Sequence, residues 1–98
     1  MPGYFLLEIE VKDQTTYADY LKAAPATVKQ YGGKYLIRGG AVTPVEGGWN
    51  PKRLVLLEIP SVDQVKKRLN SHEYRQVAPI REHSTVSKAV IVEGYAGP

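Results

Sequence analysis

The chain has 98 residues, a formal net charge of +3 and no cysteine. This length predicts a single domain over residues 1–98. The lack of cysteine excludes disulfides and thiolate-bound metals and is compatible with a reducing cytoplasm. The basic residues are scattered rather than gathered into a stripe, which argues against nucleic-acid binding. No apolar run of membrane-spanning length and no signal peptide is predicted, so we expect a cytoplasmic protein.

The first part of the chain predicts a strand followed by a helix. Apolar residues alternate with glutamates over Tyr4–Val11, which indicates a strand with two unlike faces. Asp13 is a good N-cap for the helix, which Pro25 should kink or divide and the pair Gly32-Gly33 should close. The apolar stripe of this helix consists of Tyr17, Tyr20, Leu21, Ala24, Val28 and Tyr31.

Two further strands are predicted on either side of a glycine-rich loop. The first covers Lys34–Val42, and Gly39 and Gly40 within it suggest a bulge or the close approach of another group. Residues Pro44–Pro51 form the connecting loop. Arg53–Ile59 is the next strand, again with residues alternating between two faces.

The second helical region is predicted in two pieces. Ser61 and Gln64 have the spacing of a capping box, which begins a helix that runs through Leu69. Ser71 can cap a second piece, which Pro79 should break or bend.

A last strand over Val86–Glu93 and a tail over Gly94–Pro98 complete the order β-α-β-β-α-β, the split βαβ arrangement of ferredoxin-like folds. The predicted fold class is therefore α+β, with an antiparallel sheet in the order 4-1-3-2 and both helical regions on one face. The other face is left bare and carries Tyr4, Leu6, Leu54, Leu56, Val90 and Val92. Because soluble monomers rarely expose a large apolar patch, we expect a homodimer that pairs two such faces into an α+β barrel.

Dense motifs of glycine, aromatic and charged residues run nearly from end to end. They are Tyr31-Gly32-Gly33, Leu36-x-Arg38-Gly39-Gly40, Glu46-Gly47-x-Trp49-x-Pro51-x-Arg53, Glu58-Ile59-Pro60-Ser61, Asn70-Ser71-x-Glu73-Tyr74, Arg81 and Val92-Glu93-Gly94. In this pattern the chain resembles the domain of unknown function 1330 family, although it departs from the family at Arg68-Leu69 and at Pro79. The resemblance implies a ferredoxin-like fold and a dimeric α/β barrel, whose fold relatives include monooxygenases, isomerases and haem enzymes. It implies no particular activity.

Strand alternation predicts a polar site inside the barrel. Glu8 and Glu58 should lie on one face of two adjacent strands, and Arg38, followed by Gly39 and Gly40, could point the same way. Arg38 would then hold a carboxylated or carbonyl substrate, and Glu58 or Glu8 would move a proton. Carboxylates close together would also raise one pKa. The equally weighted alternative is a buried ion-pair network that fixes register or dimer geometry.

The remaining candidate residues lie in loops and near helix ends. Trp49 and Arg53 flank the turn and could form an aromatic lid and a basic anchor for a ligand, but packing of Trp49 within the subunit or across the dimer is the favoured alternative. Tyr74 and Arg81 complete the predicted ligand-binding set. His83, in a predicted loop before the last strand, could act as a general base, although loop histidines are more often simply solvated.

No cofactor or metal is predicted, since the two histidines lack ligand spacing and no phosphate-binding or dinucleotide-binding motif occurs. The sequence predicts a protein that binds or transforms a small molecule without a metal, in the dimer barrel or between sheet and helices. Two alternatives stay open: a structural or regulatory dimer without catalysis, and a cofactor-free, monooxygenase-like enzyme.

Overall fold

The computed structural model describes residues 1–97, so Pro98, at the end of the predicted tail, lies outside the described residues. Its elements are β1 (Gly3–Val11), α1 (Gln14–Gln30), β2 (Lys34–Arg38), β3 (Leu54–Ile59), α2 (Val62–Asn70), α3 (His72–Ser84) and β4 (Thr85–Glu93). The strands form one antiparallel sheet in the order β2-β3-β1-β4. This order, read from the other edge, is the predicted 4-1-3-2, and the ferredoxin-like α+β fold is confirmed.

The two faces of the sheet differ because side chains alternate along each strand. The face toward the helices carries the buried core residues Phe5, Leu7, Ile9, Val55, Leu57 and Ile59. On the opposite face, Leu6 lies across from Leu56 on β3 and from Val90 on β4. Val90 is 53% exposed and Val92 is 48% exposed. We call this surface the bare face. It carries the apolar residues that the sequence predicted for it.

Side-chain caps begin the three helices at the residues that the sequence indicated. Asp13 and Ser61 each accept a hydrogen bond from the backbone N–H three residues later, at 3.1 and 3.0 Å. Ser71 serves two helices, because its Oγ accepts from the N–H of Tyr74 at 3.0 Å and donates to the carbonyl of Arg68 at 2.6 Å.

Of the predicted effects of the prolines, a kink or a division, the division does not occur. Both α1 and α3 continue through their prolines, Pro25 and Pro79. Pro25 cannot donate to the carbonyl of Leu21, four residues earlier. That carbonyl instead accepts from Nη2 of Arg38 at 2.8 Å. A contact from β2 therefore replaces the hydrogen bond that α1 lacks.

A bulge changes which face β2 presents. The pairing of β2 with β3 shifts between Tyr35 and Ile37, which leaves Leu36 as the extra residue. One extra residue reverses the alternation of side chains. Arg38 consequently lies opposite Val55 and belongs to the helix side of the sheet, not to the bare face.

The strand β2 ends at Arg38 rather than at Val42 as predicted. Gly39 has a φ of +76°, which is outside the extended region and is easy only for glycine. A Cβ atom at Gly39 would also collide with the guanidinium of Arg53. The predicted close approach at this glycine is therefore real, but it occurs just beyond the strand.

The other element boundaries lie close to the predicted ones, with one exception. Helix α3 extends to Ser84, so Arg81 and His83 lie in its last turn and not in a loop. The segment between β2 and β3, residues 39–53, contains no helix or strand, and we call it the arm. Within residues 1–97, none of the helices has the length and apolar character needed to cross a membrane.

Candidate functional site

The predicted carboxylate pair is not formed within one chain. Glu8 and Glu58 do share the bare face, but Glu58 lies opposite Tyr4, four residues along β1 from Glu8. At about 3.3 Å per residue, the two positions are about 13 Å apart. Glu58 instead pairs with Lys34, at 3.3 Å between Nζ and Oε2. The expectation that one carboxylate raises the pKa of the other therefore has no geometric basis here.

Arg38 also does not join these carboxylates, because the bulge places it on the opposite side of the sheet. Trp49, on the arm, does reach the bare face and donates from Nε1 to Glu8 at 3.0 Å. It borders a groove of about 340 Å³ beside Val45 and Pro51 and is 56% exposed. Trp49 thus anchors the arm against its own sheet, in keeping with the packing alternative.

A second group of polar and aromatic side chains lies between α1 and the sheet. The sequence predicted this group only in part. It surrounds a cavity of about 20 Å³, which has room for about one water molecule. Apolar core residues form much of the wall, and the polar and aromatic wall residues are Tyr17, Tyr20, Tyr35, Arg38, Arg53 and Arg68. Of these, only Arg38 and Arg53 were predicted to bind a ligand.

The outer part of this cavity holds arginines against tyrosine rings. Arg53 donates from Nε to the hydroxyl of Tyr17 at 3.1 Å. The ring of Tyr17 stacks on that of Tyr20, with centroids 5.9 Å apart. The guanidinium of Arg38 lies 4.6 Å from the centroid of Tyr35. Each cation therefore faces an aromatic ring or hydroxyl, and neither has a carboxylate partner among residues 1–97.

Two arginines are buried here: Arg68 lines the cavity, and the guanidinium of Arg81 lies 5.9 Å from the ring centroid of the wall residue Tyr20. Arg68 is 1% exposed, donates from Nε and Nη2 to Thr27 Oγ1 at 3.2 and 3.1 Å, and lies 4.1 Å from the ring centroid of Tyr74. Arg81 is 9% exposed and donates from Nη2 to the Tyr74 hydroxyl at 3.4 Å. Its Nε is buried without a hydrogen-bond partner. The hydroxyls of Tyr20 and Tyr74 are 3.0 Å apart.

We call Arg38, Arg53, Arg68 and Arg81 the arginine cluster; it contains four of the five arginines of the chain. In the part of the chain that the structure describes, the ion pairs are Lys12–Glu10 and Lys34–Glu58, and neither involves the cluster. Burial raises the pKa of Tyr20, and the neighbouring Tyr74 raises it further, so this phenol stays neutral. Two members of the cluster, Arg68 and Arg81, are buried, and burying an unbalanced charge is costly, so the cluster is a positive region suited to an anion.

Several site residues were missed because they also belong to the core. Arg68 carried a usable signal, since it lies three residues after the buried Val65 and just before Leu69, on the apolar stripe of α2. The tyrosines were assigned to the core, and they do pack there. His83 is exposed and does not line the cavity. Among residues 1–97, no group of His, Cys, Asp and Glu side chains is arranged to hold a metal.

The fold and the site define a ferredoxin-like α+β protein with an arginine-lined cavity between its helices and its sheet. The sequence model of the family described as "Domain of unknown function (DUF1330)" matches residues 2–95, and the chain belongs to this family. A comparison with curated proteins gave no match.

Solved structures with this fold share little sequence with the chain. A protein of unknown function from Rhodopseudomonas palustris is 16% identical, with a TM-score of 0.74 over 98% of this chain and 84% of its own. SnoaB, a cofactor-independent oxygenase from Streptomyces nogalater, is 9% identical, with a TM-score of 0.64 over 98% and 95% of the two chains. An antibiotic biosynthesis monooxygenase is 13% identical, with a TM-score of 0.58 over 100% of both chains. At these identities the likeness concerns the fold alone.

Proposed function

We propose that this protein binds a small organic carboxylate in the cavity between α1 and the sheet. One observation carries the proposal: three members of the arginine cluster, Arg38, Arg53 and Arg68, line the cavity, and none of the ten acidic residues of the chain does. Tyrosine rings and hydroxyls offset part of the cost of burying Arg68 and partly burying Arg53, but they supply no full negative charge. A bound carboxylate would supply it.

Two members of the cluster have free donors for such a ligand. Arg53 uses only Nε in a hydrogen bond, and Arg68 uses only Nε and Nη2, within residues 1–97. Both side chains line the cavity. Guanidinium groups with free Nη atoms bind carboxylates with short, charge-assisted hydrogen bonds. Arg53 and Arg68 are therefore the proposed binding residues.

Calorimetric titration with benzoate, cyclohexanecarboxylate and the neutral benzamide tests this proposal. We expect at least one of the carboxylates to bind and benzamide to bind far more weakly. Arg53→Ala should lower the affinity for the carboxylate by about tenfold or more, given the strength of charge-assisted hydrogen bonds. Arg53 suits this test because it is only partly buried, and circular dichroism would verify that the variant folds.

Arg75→Ala is the matched control, since Arg75 is an exposed arginine of α3 that does not line the cavity. It should leave the affinity unchanged. If no carboxylate binds, or if benzamide binds as well as benzoate, the proposal is wrong. Such a result would favour the alternative, a structural or regulatory dimer without a ligand site.

We also propose that the bare face pairs with a second copy of the chain. The support is the row of exposed valines on β4 beside half-buried leucines of β1 and β3. An apolar surface of this kind is uncommon on soluble monomers. Two copies related by a two-fold axis would cover it with the same residues on both sides.

A cofactor-free oxygenase is the second candidate function. It is favoured by structural neighbours described as a cofactor-independent oxygenase and an antibiotic biosynthesis monooxygenase. Oxygen consumption with an electron-rich phenol, such as a hydroquinone, would test it. Protein-dependent oxygen uptake without added cofactor would support this candidate, and an unchanged trace would remove it.

A further inference from the structure

Arg38 lies where the inner cavity meets a groove at the end of β2. The groove has a volume of about 450 Å³ and is lined mainly by apolar residues, among them Leu36, Val42 and Leu54. Of the residues that the structure describes, Arg38 alone lines both the cavity and this groove. Its side chain therefore lies between the small cavity, which three arginines line, and the larger, more open and mainly apolar groove.

Two contacts hold Arg38 in this position, and both are at the surface. Its Nη2 donates to the carbonyl of Leu21 at 2.8 Å, and its guanidinium lies 4.6 Å from the ring centroid of Tyr35. The Leu21 carbonyl is available because Pro25 has no N–H to donate to it. An exposed cation–π contact is worth only about 0.5–1 kcal/mol. Because Arg38 is exposed, its side chain can move without unpacking the core.

The cavity is too small for the proposed ligand. It holds about 20 Å³, whereas pockets for small organic ligands usually measure roughly 300–1,000 Å³. The apolar walls are core residues of the sheet and α1, and their movement would disrupt packing. Displacement of Arg38, which lines both spaces and is not part of that core, would open the cavity toward the groove.

We infer that the Arg38 side chain blocks the cavity toward the groove and moves aside when a ligand binds, and we call such a side chain a stopper. We also infer that the ligand is a flat aromatic carboxylate. The guanidinium is planar and lies against the ring of Tyr35, so the space that it leaves suits another planar group. In the bound state the ligand's ring would lie on Tyr35, and its carboxylate would point inward to Arg53 and Arg68. This inference rests on the proposed binding of a carboxylate in the cavity.

The shape of the ligand is tested by comparing benzoate with cyclohexanecarboxylate, which has the same charge but is not planar. We expect benzoate to bind about three- to tenfold more tightly, from the usual worth of an aromatic pair. Equal affinities would overturn the flat-ligand inference and leave the proposed function intact. If neither carboxylate binds, the proposed function itself fails.

The stopper is tested by stopped-flow binding of benzoate to the full chain. Arg38→Ala should raise the association rate constant about two- to fivefold, since it removes the contacts that must break before binding. The dissociation rate constant should stay unchanged, because Arg38 is already displaced in the bound state. The Kd should fall by the same factor.

Two further variants separate a stopper from a binding residue. Pro25→Ala restores an N–H that competes for the Leu21 carbonyl, so it should also raise the association rate constant, by a smaller factor. Arg75→Ala should change neither rate. If Arg38→Ala weakens benzoate binding or leaves its association rate unchanged, Arg38 is not a stopper.

Discussion

A single hydroxyl, that of Ser71, holds together the ends of two helices near the arginine cluster. It caps the N-terminus of α3 and also bonds the carbonyl of Arg68 at the end of α2. Its two neighbours in this network, Arg68 and Tyr74, contact each other through a cation–π interaction. Ser71 thus helps to hold the guanidinium of Arg68 against the ring of Tyr74.

We expect Ser71→Ala to lower the free energy of unfolding by about 1–2 kcal/mol, because a buried cap and a second hydrogen bond are lost together. Urea denaturation measures this loss. Ser61→Ala is the control, since Ser61 is less buried and caps only α2, and it should lose less. An equal loss in the two variants would contradict a linking role for Ser71.

The raised pKa of Tyr20 predicts that the free energy of unfolding changes with pH in the alkaline range. Its pKa is raised in the folded protein, chiefly by burial and further by Tyr74. A raised pKa means that Tyr20 stabilises the fold at pH values below the pKa of an unfolded tyrosine, about 10, and that this contribution is lost as the pH rises above it.

Tyr20→Phe should therefore be less stable than the parent at neutral pH, because it loses the hydrogen bond to Tyr74. Its stability should, however, fall less steeply as the pH rises above about 10. Urea midpoints measured at a series of alkaline pH values compare the two slopes. Identical slopes would show that Tyr20 does not resist ionisation in the folded protein.

At the scale of elements, Pro25 and Pro79 each remove one backbone hydrogen bond from a helix. The two sites differ in whether another group replaces that bond. Pro25 in α1 leaves the Leu21 carbonyl to Arg38. Pro79 in α3 is exposed, and no side chain within residues 1–97 bonds the carbonyl four residues before it, that of Arg75. The same residue type therefore has different surroundings in the two helices.

We expect Pro79→Ala to raise the free energy of unfolding by about 1–3 kcal/mol, since alanine restores a helical hydrogen bond without a clash. Pro25→Ala should gain less, because the carbonyl it would bond already has a partner. Chemical denaturation of both variants gives the comparison. A larger gain for Pro25→Ala would mean that the contact from Arg38 does not replace the lost hydrogen bond.

At the scale of the whole molecule, the bare face decides the assembly that we propose. Val90→Glu places a charge on this face, on the edge strand β4 and opposite Leu6 of β1, where a second copy would bury it. We expect the parent protein to have twice the mass of one 10.9 kDa chain and the variant to dissociate. Light scattering coupled to size exclusion measures both masses.

Ala26→Glu is the matched control, because it adds the same charge at an exposed position of α1, on the other side of the molecule. It should remain a dimer. A parent protein that is monomeric at micromolar concentration would contradict the proposed pairing, and dissociation of both variants would show that the bare face is not the specific interface.

The sequence by itself determined the strands, the helices and their order, because each depends on local periodicity and capping. The alternation in Tyr4–Val11 and the caps at Asp13, Ser61 and Ser71 could be read from neighbouring residues alone. The β-α-β-β-α-β order then left few sheet topologies to choose from.

Only the tertiary structure decided where the charged residues meet. One extra residue in β2 moved Arg38 to the other side of the sheet, and no local pattern marked the bulge at Leu36. The cluster itself joins side chains from β2, the arm, α2 and α3, which are distant in the sequence. Alternation predicts the face on which a residue lies, but contacts between distant residues depend on how the elements pack.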